Sequence, residues 1–429
     1  TQAERSPGSS IKPLVVYAPG IEAKTVTAAD VIDDVPQYLN EKEADKQWPR
    51  NVEKANFGLT TVREGLFRSR NVVATLVLIN ETGIRTGLDF LAQVGIDRRE
   101  EQYASIAMGG FSKGMTPLQM TSAYTVFANQ GTYSEPFFYT KVSDYDGNDV
   151  LVKDPVQKQV YSPETIFIMD DMLADVVRKG TAYPYGIVKH EGTATDAKGK
   201  AKEVTITIPS AGKTGTTDEN KDKWFCGFTP YYVAATWYGY DTAVKLTKDE
   251  QSSALNIWNK VMNEIHKDLP AMNFFDQQPA NLVKVAVCRD SGKRPSTLCA
   301  SDPRGSRVYE EWFVKGTEPA ETDACTVHFM VKIDTTQTDA QGRNLLATEF
   351  CPAGAAMDVV RIKRPVQYKP LFPEDPYPPD TKYEVPEGEY CTVHAQASTP
   401  TDVSTPTSPT DGTASPEPVP VPSDTLPTP

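Results

Sequence analysis

The apolar residues change their spacing partway along the chain, and that change limits the fold to an α+β type. Up to about residue 178 they recur at helical intervals. Met120, Ala123, Tyr124 and Phe127 fall at i, i+3, i+4 and i+7, after Thr116-Pro117 as N-cap and first helical residue and before Gly131. Ser162-Pro163 opens a second such helix with Ile166, Met169, Leu173 and Val176 on one face, ending at Lys179-Gly180. Earlier helices are expected from Ser10 to Tyr17, stopped by Ala18-Pro19-Gly20; from about Ser69-Arg70-Asn71 to Gly83; and from Thr86 to Val94. From residue 204 the pattern turns β-branched and alternating. Strands are predicted over 204–209, 210–217, 224–228 and 232–240, with turns short enough for an antiparallel sheet. A final helix, Ala254 to Ile265, offers Ala254, Ile257, Trp258, Val261, Met262 and Ile265 to cover that sheet.

Composition sets the expected boundaries. Pro270 and Gln277-Gln278-Pro279 separate a unit at 1–268 from a small, cysteine-containing, mainly β unit at 281–365. Residues 366–429 hold 15 of the 34 prolines and two lysines against ten carboxylates, so this stretch is expected to be a disordered acidic tail, most extended from Ala395 onward. The formal charge of −13 argues against a nucleic-acid partner, which would need a basic face. No apolar run approaches the ~18 residues of a membrane span. The chain begins at Thr1, which suggests a processed form or a fragment.

The six cysteines, Cys226, Cys288, Cys299, Cys325, Cys351 and Cys391, form no C-x-x-C. Cys288 and Cys299 flank a turn-rich stretch that a disulfide could close in an oxidising compartment. Cys325-Thr-Val-His328 recurs as Cys391-Thr-Val-His394. One Cys and one His per copy fall short of a ligand set, so disulfides or free thiols are expected, with no metal and no cofactor.

Three short patterns carry chemistry: Ser9-Ser10-Ile11-Lys12, Ser69-Arg70-Asn71 and Lys213-Thr214-Gly215-Thr216. Singly, each has a plain structural account, an N-cap or a strand end, and a lone S-x-x-K arises by chance about once or twice in such a chain. Together and in order they suit acyl transfer. Ser9 needs a base, and Lys12 lies one helical turn on. Burial and a second cation, Lys213, would leave the Lys12 amine neutral. Ser69 can relay a proton to a leaving amine, and the Asn71 amide can hold a peptide group. Gly215 lets a substrate lie along the strand. The N–H groups of Ser9 and Thr216 can cradle an oxyanion, and the hydroxyls of Thr214 and Thr216 a terminal carboxylate.

Arg5-Ser6-Pro7-Gly8-Ser9-Ser10-Ile11-Lys12-Pro13, Gly109-Gly110-Phe111-Ser112-Lys113-Gly114-Met115-Thr116-Pro117-Leu118 and Asp222-Lys223-Trp224-Phe225-Cys226-Gly227-Phe228-Thr229-Pro230 resemble segments of class A penicillin-binding proteins over about residues 1–268. The resemblance implies a D,D-transpeptidase that cross-links peptidoglycan stem peptides through a Ser9 acyl-enzyme, with a D-Ala-D-Ala donor, an amine acceptor and β-lactams as covalent inhibitors. It implies work at the extracytoplasmic face of the bacterial cell membrane, with membrane contact only through an anchor absent from this chain. Family members carry a glycosyltransferase domain upstream, which is also absent. The family sheet has two strands before the active serine; eight residues precede Ser9, so the sheet is expected to lack them. Cys226 is expected to be a buried packing thiol. A D,D-carboxypeptidase or a β-lactam-binding sensor are the competing readings. A class A β-lactamase would need an E-x-x-L-N-like loop, and none is found, so the acyl-enzyme with β-lactams should be long-lived.

Overall fold

The computed structural model describes residues 2–195 and 200–394. The expected disorder from Ala395 onward lies outside the described residues. At the centre runs a helical segment that is apolar on all sides and therefore buried. A 3₁₀ turn, Gly8–Ile11, passes into a π turn, Pro13–Tyr17, and then into an α turn, Ala18–Glu22. Ile11, Leu14, Val15, Val16, Tyr17 and Ala18 are wholly buried. The expected stop at Ala18-Pro19-Gly20 is corrected: the helical path continues through it. Pro19 has no N–H to give back to the preceding turn. Instead Gly87 packs against the Val15 carbonyl, where a Cβ would come within 2.2 Å, and the Thr82 hydroxyl donates to the Val16 carbonyl at 2.8 Å.

The helices at Asn71–Leu76, extended by a π turn to Thr82, and at Ile84–Gln93 form where predicted. So do Pro117–Ala128, with a Thr116/Gln119 capping box, and Pro163–Arg178, capped by Ser162. Among the described residues the main sheet has three antiparallel strands, with Asp222–Phe228 between Ala211–Thr216 and Val233–Gly239. Side chains alternate across it. On one face Phe225 meets Trp258 of the Ser253–Ile265 helix edge-on at 4.8 Å. On the other, Phe228 stacks on Phe127 at 5.9 Å. The strand predicted at 204–209 lies elsewhere: Ala201–Ile208 pairs with Val188–Thr195 as a separate ribbon. The sheet-covering face predicted on the last helix is also too wide. Ala254, Trp258 and Met262 are buried, whereas Ile257, Val261 and Ile265 are exposed.

Beyond residue 281 the chain is mainly β. Leu282–Cys288 pairs with Val308–Val314, and His328–Thr338 lies between Asn344–Leu346 and Ala356–Ile362. The tail expected from residue 366 is corrected: residues 366–394 pack onto the body. Arg364, almost wholly buried, is bonded to Asp33, Asp380 and Glu384. Asp380 also accepts from Leu59 N at 3.0 Å, and Tyr38 packs on Phe372 at 5.0 Å. A second buried arginine, Arg63, joins the Val62–Phe67 helix to Glu311, Asp171 and Asp175.

Removing the Arg364 guanidinium strands two buried carboxylates, Asp380 and Glu384, and a half-buried one, Asp33, a loss typically worth about 3–5 kcal/mol. Arg364→Ala should lower the free energy of denaturant unfolding by about that amount. An unchanged midpoint would mean that the 366–394 segment is not anchored this way.

Candidate active site

The Ser9 turn is held against the edge strand by backbone contact. Gly8 has φ +52°, and a Cβ there would lie 2.4 Å from the Thr216 carbonyl oxygen. Gly215 is equally close from its side, since its Cβ would meet the Pro7 carbonyl at 2.4 Å. Only glycine at both positions lets the turn and strand meet. Thr217 N donates to Asp222 O at 3.2 Å, so it belongs to a bonded pair of the ladder. By the antiparallel alternation the Thr216 N–H then points away from the partner strand, toward the Ser9 turn and the open edge.

The three motifs converge. Lys12 Nζ donates to Ser69 O at 2.8 Å, to Asn71 Oδ1 at 2.8 Å and to Arg70 O at 3.3 Å, and lies 3.5 Å from Ser69 Oγ. Lys213 Nζ donates to Ser69 Oγ at 2.9 Å and to Thr214 O at 3.0 Å. Ser69 Oγ thus sits between two amines. Ser69 has φ +62°, a left-handed conformation that costs a non-glycine residue about 1–2 kcal/mol. The preceding Val62–Phe67 helix and the following Asn71–Leu76 helix fix this backbone, and its carbonyl and hydroxyl meet the two lysines.

Both lysines are fully buried with no carboxylate hydrogen-bonded to their amines. Burial, and next the neighbouring Lys213 charge, hold the Lys12 amine well below the usual lysine range. Burial brings Lys213 down to about 7. The two amines meet at one hydroxyl, so a charge on either disfavours a charge on the other. Opposite Lys213 in the ladder, Cys226 is a buried thiol pushed up to about 12 by burial, in keeping with a packing role.

Ser9, Ser69, Thr214, Gly215 and Thr216 line a cleft of about 380 Å³. Among the described residues, Ser9 Oγ makes no hydrogen bond within the protein. Asn71 is turned inward: Oδ1 accepts from Lys12, and Nδ2 donates to Arg50 O at 2.8 Å. One lone pair and one N–H of its amide remain for a ligand. A larger cleft, about 580 Å³ and lined by Phe167, Asp170 and Phe275, contains none of the motif residues.

Two cleft residues escaped the sequence reading. Lys223 Nζ donates to Thr216 Oγ1 at 3.2 Å, so the cation beside Thr216 is Lys223, while Lys213 lies nearer Thr214. Thr181 Oγ1 and Thr214 Oγ1 are 2.6 Å apart. Lys223 faces Thr216 across the ladder, which the register of two predicted strands could have revealed. Thr181 follows the helix end at Gly180, and no sequence signal marks it.

Comparison with known proteins identifies the family of the chain. The family model described as the penicillin binding protein transpeptidase domain matches residues 1–263, and that of the penicillin-binding protein 1A C-terminal domain matches 278–329. Penicillin-binding protein 1A of Clostridium botulinum is 38% identical over 367 residues, 84% of this chain and 41% of the relative. Penicillin-binding protein 1F of Bacillus subtilis is 34% identical over 268 residues, 62% and 34% of the two chains. The chain thus spans about two fifths or less of the length of these curated relatives. The crystal structure of penicillin-binding protein 1A from Haemophilus influenzae superposes with a TM-score of 0.61 at 25% identity, over 75% of this chain and 49% of that one. PonA1 of Mycobacterium tuberculosis, in complex with penicillin V, shares the fold with a TM-score of 0.53 at 21% identity, over 65% and 73%. With its first 263 residues matched and three motifs meeting at one cleft, the chain belongs to the penicillin-binding protein transpeptidase family.

Proposed function

We propose that the chain is the D,D-transpeptidase part of a peptidoglycan cross-linking enzyme, acting through a Ser9 acyl-enzyme. The observation that carries the reading is Ser69 Oγ held between two buried amines beside the cleft that Ser9 lines. The neutral Lys12 amine takes the Ser9 proton as Oγ attacks the carbonyl of a D-Ala-D-Ala donor. The N–H groups of Ser9 and Thr216 receive the developing negative charge, each typically worth ~3–4 kcal/mol in the transition state. Ser69, fed by the lysines, passes a proton to the departing amine, and D-Ala leaves. An amine from a neighbouring stem then attacks the ester and frees Ser9. Asn71 holds the donor backbone, which lies along the Gly215 edge as an added strand. Thr214 and Thr216, with Lys213 and Lys223 beside them, take the terminal carboxylate. A β-lactam follows the same path, but its ring amine stays tethered. The work would take place at the extracytoplasmic face of the membrane. No described helix is long and apolar enough to cross a membrane.

Fluorescent penicillin should label the chain covalently, and Ser9→Ala should abolish the label. Persistent stoichiometric labelling of the variant would refute the assignment. Incubating one donor peptide with and without an acceptor amine separates cross-linking from simple hydrolysis. A hydrolysed product alone, with acceptor in excess, would favour the carboxypeptidase.

Lys213→Ala should slow acylation by about a hundredfold or more while the thermal transition stays near that of the parent. Labelling at the parent's rate would remove Lys213 from the mechanism.

The acylation rate should be bell-shaped in pH. It rises as Lys12 discharges and falls as Lys213 loses its proton above about 7. A bound carboxylate favours the charged amine and moves the falling limb upward. A rate that climbs steadily to pH 10 would mean that Lys213 works uncharged.

A further inference from the structure

The region beyond residue 281 gathers five of the six cysteines into two clusters, and neither cluster takes part in the chemistry above. Cys288, Cys299, Cys325 and His328 bring four donor atoms within 4.8 Å of one another, all in buried side chains. Their sources are far apart in the chain: the end of the Leu282–Cys288 strand, the Thr297–Ala300 turn, and both ends of the first C-T-V-H segment. We infer that each C-T-V-H segment completes a four-ligand site for a structural zinc ion. The first is formed by Cys288, Cys299, Cys325 and His328, the second by Asp334, Cys351, Cys391 and His394.

Geometry separates this from the alternatives. A tetrahedral zinc with Zn–S of ~2.3 Å and Zn–N of ~2.0–2.1 Å places sulfur and nitrogen about 3.5 Å apart. His328 Nδ1 lies 3.5 Å from Cys288 Sγ and 3.4 Å from Cys325 Sγ. One ring nitrogen, with a single proton or a single lone pair, serves both sulfurs only through a weak three-centre hydrogen bond. A shared ion serves both directly. A disulfide would bring two sulfurs to ~2.0 Å and orphan the third; all are free thiols. The expected Cys288–Cys299 loop is therefore corrected to a four-donor cluster.

The surroundings are those of a metal centre. His328 Nε2 lies 3.0 Å from Asp302 Oδ2 and 3.3 Å from Asp290 Oδ2. Arg304 and Arg307 fix those carboxylates at 2.7–2.8 Å. This holds the ring proton on Nε2 and frees Nδ1 to face the sulfurs, the usual outer-shell arrangement around a ligating histidine. The arginines also exclude the two aspartates as ligands of their own ion. A backbone N–H points at each sulfur, from Asp290 to Cys288, from Ser296 to Cys299 and from Val327 to Cys325, at 3.3–3.4 Å. Such donors favour thiolate over thiol.

The second cluster repeats the scheme with a carboxylate for one sulfur. Cys391 Sγ lies 3.3 Å from His394 Nδ1, and Cys351 Sγ 3.4 Å from Asp334 Oδ2. Thr348 N and His394 N donate to the two sulfurs at 3.3 Å. Asp334 Oδ2 and His394 Nδ1 are hydrogen-bonded at 2.7 Å, and a bound ion would take the place of the Nδ1 proton between them. This site should bind more weakly. Three thiolates, or two with a carboxylate, plus imidazole select zinc over hard cations. Binding displaces the thiol protons to solvent.

The full chain, purified without chelator, should carry two zinc equivalents by elemental mass spectrometry. Cys325→Ser and His328→Ala should each lose one, and Cys391→Ser the other, with penicillin labelling of Ser9 retained. Should the variants fail to fold, cobalt(II) added to the stripped parent chain should give the charge-transfer and visible bands of tetrahedral thiolate coordination. A metal-free chain whose mass falls by two protons per bridged cysteine pair would overturn the proposal, as would a featureless cobalt spectrum. A single equivalent that survives Cys391→Ser would overturn the second site alone.

Discussion

Two wholly buried lysine amines share one serine hydroxyl at the wall of the cleft, and the rest of the transpeptidase region is arranged around that constraint. A buried ammonium without a carboxylate is costly, so the pair is relieved by giving up a proton. Lys12 sits deeper in unfavourable terms, because it is penalised by burial and then by the charge on Lys213. Giving up one proton leaves one neutral base and one cation side by side. The neutral base would not be available in water, where both lysines would be charged at neutral pH. The nearest carboxylate influence on Lys12, Glu53, is tied by Arg70 at 2.7 Å and only partly offsets the shift.

That arrangement requires backbone to approach backbone. The Gly8 turn and the Gly215 strand meet where side chains would collide, and the antiparallel ladder then leaves the Thr216 N–H facing the serine. The edge position of Ala211–Thr216 follows from the same geometry. A strand with a neighbour on both sides would have no open edge along which an extended peptide could lie.

Much of this was legible in the sequence, for local reasons. S-x-x-K fixes two side chains one turn apart, and K-T-G-T fixes alternation on a strand. Caps such as Thr116/Gln119 and Ser162 announce helices within four residues. What stayed hidden depends on distant chain. Thr181 and Lys223 reach the cleft through packing and register. Asn71 spends half its amide on Lys12 and Arg50, a choice no spacing reveals. The stretch 366–394 was misread because its prolines and carboxylates resemble a solvated tail. Proline needs no backbone donor, so a proline-rich segment can lie extended on a surface. Its acids are the partners of Arg364, Tyr38 and the Leu59 N–H. The cysteine clusters were missed for the same reason, since the first draws its ligands from segments up to 40 residues apart and the second from segments up to 60 apart.

These distant contacts bear on the active site through Ser69. A left-handed serine persists only where its surroundings over-determine it. Strand Gly58–Thr61 leads directly into the Val62–Phe67 helix that ends two residues before Ser69. Asp380 lies so close to Gly58 that a Cβ there would overlap its carboxylate at 2.1 Å, and it accepts from Leu59 N. At the helix start, Arg63 is clamped to Glu311 on the Val308–Val314 strand. The small β region and the proline-rich segment thus brace the strand and the helix that lead into the serine joining the two amines. Cys288, Cys299 and Cys325 make up half of the small core that also holds Leu59, Val327 and Ile362. An apolar cluster of that size cannot stiffen a region on its own. Fixing the sulfurs of this core in place steadies Leu59 and the small β region around it.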